Sequence, residues 1–289
     1  MKQITFSTFL RKYPNENACL DEIFRRKYPN GRAYCTHCKK ETAHFKHKTY
    51  KAYSCTYCRK QISPLAGTVF EHSSVDLRLW FYAMFLMTST RGGISAKQLE
   101  RELGVCYKTA HRMMKMIRKS MNESGGNKLK GTVEVDESFF GGKGYNRRYI
   151  PDFNSKPKDI IMGMVEREGK VVMKKIDTTG RLELMEQIEK HIDRNATVMH
   201  DQYPGYQNLH RLGYDHHAVN HGKTYVRGKV YTNNIEGLWG RIKPGIKGVY
   251  RKVTSKYIES YMDEYCFRYN HRKEPELMFD LLLSRTITL

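Results

Sequence analysis

The sequence predicts an α/β multidomain protein, with a zinc ribbon, a helical helix-turn-helix segment and a mixed-sheet domain in chain order. Three observations predict this fold class: two Cys-x-x-Cys pairs near the start, two helical patterns around Gly104, and strand and helix patterns that alternate in the second half. The 289 residues suffice for about two domains of ordinary size. Shifts in composition place the three segments at 1–64, 65–126 and 127–289.

The chain is strongly basic. Lys and Arg number 51 and Asp and Glu 30, which gives a formal net charge of +21. Such a charge favours a polyanionic partner, nucleic acid first, over a basic surface that serves only solubility. The longest apolar run, from Leu79 to Met87, is far shorter than the ~20 residues of a membrane span, and the first residues lack a signal-peptide pattern. We therefore expect neither a membrane protein nor a secreted one.

Two Cys-x-x-Cys pairs stand sixteen residues apart, and they supply Cys35, Cys38, Cys55 and Cys58. Zinc prefers four soft ligands in a tetrahedron, and each pair presents two thiolates to one ion. Four protein ligands leave no open coordination position, so this zinc would be structural. A redox pair and unrelated core thiols are the alternatives. The residues between the pairs alternate as in a β-hairpin, and the other three cysteines, Cys19, Cys106 and Cys266, are expected to pack in the interior.

The middle of the chain predicts two helices joined by a tight turn. Ser95 and Gln98 form a capping box, Gly104 supplies the turn, and the second helix runs from Tyr107 to Met121. An apolar segment, 77–87, is expected to form a helix behind them. Three basic side chains lie near the start and on the exposed side of the second helix, where a recognition helix contacts DNA: Lys108, Arg112 and Lys115. The alternative is a helical hairpin with a solvated basic face.

Strand and helix patterns in the second half present three acids. GTVEVDESFFGG predicts a strand with Asp136 at its C-terminal end, and ATVMHD predicts a short strand that ends in Asp201. TNNIEGLWGRIKPG predicts an Asn-capped helix with Glu236 in its first turn. Two further strands, IIMGMVE and KVVMKKID, and a helix over 183–194 are also predicted. This order of elements indicates an α/β domain with a mixed sheet.

The three acids predict a divalent metal site. Residues 222–256 carry nine Lys or Arg and a single acid, Glu236, which is unexpected for a solvent-facing carboxylate. Carboxylate oxygens suit Mg²⁺, and two such ions can activate an attacking water or 3′-hydroxyl and stabilise the leaving oxygen. The alternative is three ordinary solvated acids, because 30 acids allow many such triples.

At these residues the sequence resembles the DDE transposases of bacterial insertion sequences, in the ISXO-like group related to the Merlin elements. The four cysteines and the segment 63–119 resemble the zinc ribbon and helix-turn-helix of that group. VEVDESFFGGK, VMHDQYPGY and the stretch from VNHGKTYVRGKVYTNNIEGLWG to RYNHR resemble its three catalytic blocks. Thirty-four residues lie between Asp201 and Glu236, as is usual for such triads.

The resemblance implies a ribonuclease-H-like catalytic domain that uses Mg²⁺ or Mn²⁺. Asp136 and Asp201 would hold metal, Glu236 would complete the site, and Lys243 would contact DNA phosphate beside it, although Pro244 replaces an expected basic residue. Asn233 or Asn234 could share the third role, but the helix cap is the preferred role for Asn. Trp239 is expected in the core rather than stacked on a DNA base. Two further matching residues, Asn220 and His221, have no assigned role.

These features together predict a transposase. It would bind the terminal inverted repeats of its own element, cleave strands and join them to target DNA, as a homodimer or larger assembly on double-stranded DNA. We expect it in the cytoplasm at the nucleoid of a bacterium, or in the nucleus of a eukaryotic host. A non-catalytic DNA-binding regulator derived from a transposase and a plain metal nuclease are the alternatives.

Overall fold

A computed structural model describes residues 4–90, 92–123, 125–141, 158–219 and 231–288. Contacts divide the chain into two compact units: Met1–Met121 with Glu274–Leu289, and Asn122–Lys273. The three predicted segments stay a prediction, but the residues after Lys273 group with the first unit. In the described ranges, no helix has the length and apolar character that a membrane crossing requires.

The first unit begins with two helices and a small sheet. Helices α1 and α2 span Phe6–Lys12 and Glu16–Lys27, and each is capped by the side chain of the preceding residue, Thr5 or Asn15. Four antiparallel strands follow in the order β1-β2-β3-β4: Arg32–Cys35, Lys40–Lys46, Tyr53–Cys55 and Gln61–Ile62. The predicted hairpin between the cysteine pairs is confirmed as β2 and β3.

Four further helices belong to this unit: α3 (Leu77–Ser89), α4 (Ala96–Leu103), α5 (Tyr107–Met121) and α9 (Met278–Ile287). The predicted capping residue is confirmed, because the Ser95 hydroxyl accepts the N–H of Gln98 at 3.1 Å. Gly104 ends α4 with a φ of 65°, a left-handed conformation that suits glycine. Helices α4 and α5 therefore form the expected helical pair.

Helix α9 completes an aromatic core in the first unit. The Phe279 ring lies 6.2 Å from Phe9, 5.9 Å from Tyr13 and 6.3 Å from Phe81, measured between ring centroids. All four rings are at least 99% buried. Since Phe9 and Tyr13 come from the start of the chain, this core joins residues far apart in sequence.

The second unit contains a five-stranded mixed sheet, in the order β7-β6-β5-β8-β9. Its strands are β5 (Thr132–Phe140), β6 (Asp159–Glu166), β7 (Val171–Ile176), β8 (Thr197–Asp201) and β9 (Asp215–Val219). Strands β5, β6 and β7 pair antiparallel, whereas β8 is parallel to β5 and to β9. The expected mixed α/β architecture is thus present.

Helices cover both faces of this sheet. Helix α6 (Arg181–His191) and the 3-10 turns Pro204–Tyr206 and Leu209–Leu212 follow β7 and β8, and α6 ends three residues earlier than predicted. Their side chains pack with Val133 and Val135 of β5. Helices α7 (Asn233–Gly245) and α8 (Ile258–Asn270) pack on the opposite face. Each face of β5 therefore meets a different helical layer, as the period of two in a strand requires.

Gly163 lets α7 approach the sheet. It pairs with Asp136 across β5 and β6, and a Cβ atom there would lie 2.6 Å from Cζ2 of Trp239 and 2.7 Å from Cδ1 of Ile235. Both side chains are buried. The absent side chain at position 163 is therefore what allows the indole to pack against the sheet beside Asp136.

We expect Gly163→Ala to lower the free energy of unfolding by about 1–3 kcal/mol, because the added methyl overpacks a buried contact. Gly237→Ala is the matched control, since a Cβ at this exposed helical position meets nothing within 4 Å. That change should stabilise the protein by up to about 1 kcal/mol. Urea unfolding of both variants measures the difference, and equal effects would contradict the packing described.

Candidate active site

Three acids from three separate elements line one cleft. Asp136 comes from β5, Asp201 from the end of β8 and Glu236 from the first turn of α7, and the cleft has a volume of about 160 Å³. Val135 and Thr232 complete its lining. Residues far apart in sequence are thus brought together in the combination that the sequence predicted.

The register of two parallel strands aligns Asp136 with Asp201. The β5–β8 ladder pairs Thr132 with Thr197 and continues to Glu134 opposite Met199, so the two aspartates stand opposite each other two residues further on. The expectation that Asp136 ends its strand is wrong, because β5 continues to Phe140 against its antiparallel partner β6. Asp136 instead lies just beyond the last residue pair of the parallel ladder with β8, and there it lines the cleft.

Helix α7 begins differently from the prediction. Its N-cap is Thr232, not an asparagine, and no side chain of the cap residue bonds the helix N-terminus. The Thr232 hydroxyl instead donates to Oε1 of Glu236 at 2.9 Å. The cap residue therefore orients the acid that faces the cleft.

A buried carboxylate from β5 takes over the capping role. Glu134 accepts the backbone N–H groups of Asn234 at 2.8 Å and Ile235 at 3.1 Å, and also the Asn234 side-chain amide at 2.8 Å. A negative charge is favourable at a helix N-terminus, where backbone N–H groups lack partners. The side-chain amide of Asn234, the second residue of α7, is thereby engaged with Glu134.

Arg167 balances the charge of Glu134. Its Nε lies 2.8 Å from Oε1 of Glu134, whose side chain is fully buried. The same guanidinium donates to the carbonyl of Tyr231 at 2.8 Å and lies 3.6 Å from the centre of the Tyr231 ring. Glu134, Arg167 and the residues around Thr232 therefore form one network that fixes where α7 starts.

Trp239 lies one turn further along α7 and contacts Asp136. The indole is 5% exposed, as the sequence analysis expected for a core aromatic. Its Nε1 also donates to Oδ2 of Asp136 at 3.0 Å. This contact, which no pattern in the sequence indicated, orients the carboxylate from the α7 side.

The cleft concentrates negative charge, with Asp136 and Asp201 half-buried and Glu236 exposed. Burial and the neighbouring Asp201 carboxylate raise the pKa of Asp136 to about 6. Glu236 acts in the same direction, against the hydrogen bond from Trp239. A divalent cation relieves repulsion among carboxylates and prefers their oxygens as ligands. The carboxylates of Asp136, Asp201 and Glu236 therefore have the donor chemistry that suits a divalent cation.

Two buried groups support the aspartates from the other face of the sheet, and the sequence analysis missed both. The Tyr206 hydroxyl donates to Glu137, whose pKa is raised to about 7, chiefly by burial. His200 contacts the backbone carbonyl of Asp201 through Nδ1, and its Nε2 lies 2.9 Å from Nδ1 of His216. Glu137 and His200 are each the immediate sequence neighbour of a candidate acid, and this adjacency is the signal that could have indicated them.

Lys243 lies exposed on α7, seven residues after Glu236 and so on the same side of the helix. The helix runs through Pro244 to Gly245 and continues as a π-helical turn, Ile246–Tyr250. The wider turn follows the proline, which cannot donate a backbone hydrogen bond. Asn220 and His221 lie outside the described residues.

The four predicted zinc ligands are brought together in the first unit. The sulfur atoms of Cys35, Cys38, Cys55 and Cys58 all lie within 4.8 Å of one another, an arrangement compatible with a zinc ribbon. Although burial raises the pKa of Cys55, hydrogen bonds from the Cys58 backbone and from Thr42 lower it to about 5. The thiolate, which is the form that binds metal, is therefore favoured at this position.

The remaining cysteines and basic residues also have defined places. Cys19 and Cys266 are buried as expected, but Cys106 is exposed, because it lies at the turn before α5. The predicted DNA-contacting side chains of α5 are exposed and follow one another at helical spacing along one face: Lys108, Arg112 and Lys115. The structure thus presents them as a row on the second helix of the helical pair.

Comparison with known proteins identifies a matching family. Residues 128–270 match the ISXO2-like transposase domain. A relative from Halobacterium salinarum, described as an uncharacterized protein in transposable element ISH50, is 27% identical over 248 residues, which are 78% of this chain and 82% of the relative.

Among solved structures, the Mos1 strand transfer complex is 12% identical, with 71% of this chain and 77% of that chain covered and a TM-score of 0.28. The Mos1 mariner paired end complex with Mn is 11% identical, with 68% and 75% covered and a TM-score of 0.31. These TM-scores are too low to support an inference about fold or chemistry.

Purified protein is expected to contain about one zinc ion for each chain, because four cysteines close one tetrahedral site. Cys55→Ser should lose this zinc and weaken the folding of the ribbon, whereas Cys106→Ser, at an exposed cysteine outside the cluster, should retain it. Elemental analysis after dialysis measures the content. Zinc retained in full by Cys55→Ser would contradict the assignment.

Glu134→Gln should lower the free energy of unfolding by about 3–5 kcal/mol, because it leaves a buried charge without its partner. The control is Glu259→Gln, which removes a half-exposed carboxylate 3.7 Å from Lys174 and should cost less than about 1 kcal/mol. Chemical denaturation compares the two. Similar small effects would show that the Glu134 network does not hold the start of α7.

Proposed function

Because this chain belongs, through residues 128–270, to the ISXO2-like transposases of insertion sequences, we propose that it moves its own element by strand cleavage and strand transfer. The observation that carries this proposal is the convergence of Asp136, Asp201 and Glu236 on one cleft. All three acids lie inside the matched segment. The proposal thus names these acids as the catalytic residues of a ribonuclease-H-like domain.

Asp136, Asp201 and Glu236 would hold the divalent metal, Mg²⁺ or Mn²⁺. The raised pKa of Asp136 supports this, since it comes from burial and from repulsion by Asp201, and a bound cation would offset both by favouring the carboxylate. When bound, two such ions supply activation of the attacking oxygen and stabilisation of the leaving oxygen. No nucleoside triphosphate is required, because one phosphodiester bond is exchanged for another.

The surrounding residues of the chain would position the acids and the DNA. Trp239 holds Asp136 through Nε1, and Thr232 holds Glu236 through its hydroxyl. Lys243 would contact a phosphate beside the cleft, because it is exposed on the side of α7 that carries Glu236. A preorganised set of acids reduces the reorganisation needed when substrate binds.

The first unit would recognise the terminal inverted repeats. A zinc-stabilised ribbon would provide one contact, and the helix-turn-helix formed by α4 and α5 the other, with Lys108, Arg112 and Lys115 facing DNA. Two element ends must be held at once, so we propose a homodimer or larger assembly on double-stranded DNA. Action on chromosomal DNA would place the protein at the nucleoid of a bacterium, or in the nucleus of a eukaryotic host.

The test uses duplex DNA that carries the repeats flanking the gene, a second duplex as target, and Mg²⁺ or Mn²⁺. Wild-type protein should cleave at the repeat and join the 3′ end to the target. Asp136→Asn and Glu236→Gln should each lower both steps by at least about 100-fold, as expected for loss of a group that stabilises charge in a transition state. Binding to the repeats should persist.

Glu186→Gln is the matched control, because Glu186 is an exposed acid on α6 outside the cleft. It should leave cleavage and joining unchanged. Specific binding without strand chemistry in the wild type would instead identify a DNA-binding regulator. Cleavage without joining would identify a nuclease, and full activity of Glu236→Gln would remove Glu236 from the site.

A further inference from the structure

The zinc-ribbon sheet contains a second concave surface, which the proposed chemistry does not use. It is a groove of about 450 Å³, within the range of small-ligand pockets. Its lining residues come from β2, β3, β4, the β2–β3 turn and the residue after Cys58: Phe45, Lys46, His47, Lys48, Thr49, Ser54, Arg59 and Gln61. The lining contains three cationic residues and no acid. An anionic ligand is therefore favoured.

The floor of the groove is a row of three side chains across three strands. Phe45 pairs with Ser54 between β2 and β3, and Ser54 pairs with Gln61 between β3 and β4. Paired residues of antiparallel strands project to the same face. The floor thus combines an aromatic ring that is 40% exposed with a hydroxyl and an exposed amide.

Two cationic residues line the groove beside this row. Arg59 has a φ of 65° and places its guanidinium carbon 5.0 Å from the centre of the Phe45 ring. In the β2–β3 turn, Nδ1 of His47 accepts the N–H groups of Thr49 and Tyr50, each at 3.1 Å, and Lys48 is exposed. The turn is therefore ordered by its own hydrogen bonds.

One of the three cations is already engaged. Lys46 forms an ion pair with Asp21 at 2.8 Å. The positive charge available to a ligand in the groove consequently comes from Lys48 and Arg59. Both cations line the same groove as the exposed aromatic ring, and their charges suit the phosphates of a nucleotide.

We propose that this groove binds an unpaired nucleotide of the DNA substrate, with its base on Phe45 and its phosphates on Lys48 and Arg59. An exposed aromatic ring offers a stacking face, and stacking of bases on aromatic side chains is typical of single-strand binding. In a duplex, the neighbouring bases already cover each base face. The exposed ring therefore favours an unpaired nucleotide over a duplex, and Gln61 offers an amide to the edge of the base.

This inference rests on the proposed function, since it takes DNA as the substrate. It adds that the ribbon binds a single-stranded part of that DNA. The ribbon also provides an internal control. Tyr57 is 70% exposed, and Nζ of Lys40 lies 5.0 Å from the centre of its ring. This second pair of a cation and an aromatic ring lies on the same module but does not line the groove.

The experiment titrates full-length protein against two labelled duplexes that carry the terminal repeat, one blunt and one with a single-stranded overhang. Wild type should bind the overhang duplex more tightly. Phe45→Leu, which keeps an apolar side chain but loses the ring, should weaken that binding by about 5- to 150-fold and leave blunt binding unchanged. Tyr57→Leu should change neither, and Gln61→Ala should act like Phe45→Leu with a smaller effect.

The outcomes separate this inference from the proposed function. If wild type binds the blunt repeat specifically but gains nothing from the overhang, the groove does not bind an unpaired nucleotide. If Phe45→Leu weakens both duplexes equally, the groove contacts paired DNA and the inference fails. If wild type binds neither duplex, the proposed function itself fails. Zinc content equal to that of wild type shows that the Phe45→Leu ribbon is folded.

Discussion

The buried ion pair between Glu134 and Arg167 is the interaction on which the candidate active site depends. One carboxylate caps α7 and at the same time belongs to the central strand of the sheet, so it fixes the helix to the strand that carries Asp136. Trp239 then reaches Asp136 from α7 because Gly163 leaves room for its ring. The acids are thus held from two sides before any cation binds.

Local patterns in the sequence were sufficient for much of this arrangement. Cysteine spacing identified the four sulfurs, a capping box located α4, and alternation located β5 and its neighbours. The candidate acids could be chosen because each stands near the end of a predicted element or in the first turn of a helix. Such signals are short-range, and they depend on a few residues at fixed spacing.

Two of the features that were missed or misplaced depend on long-range contacts. An asparagine cap was expected for α7, but the cap comes from Glu134, about 100 residues earlier in the chain. The end of β5 was misplaced because Asp136 lies just beyond the parallel ladder with β8, whereas the antiparallel ladder with β6 continues to Phe140. Partnerships of this kind follow from sheet register and tertiary packing, which residue spacing alone does not encode.

The position of α9 in the chain affects the order in which the two units can fold during translation. Its Phe279 completes a core with rings from the beginning of the chain, and the whole second unit is encoded between them. At about 5–20 residues per second, the ribosome needs roughly ten to thirty seconds more after Met121 to supply this helix. The second unit can therefore pack first, and the first unit is completed only after α9 has been translated.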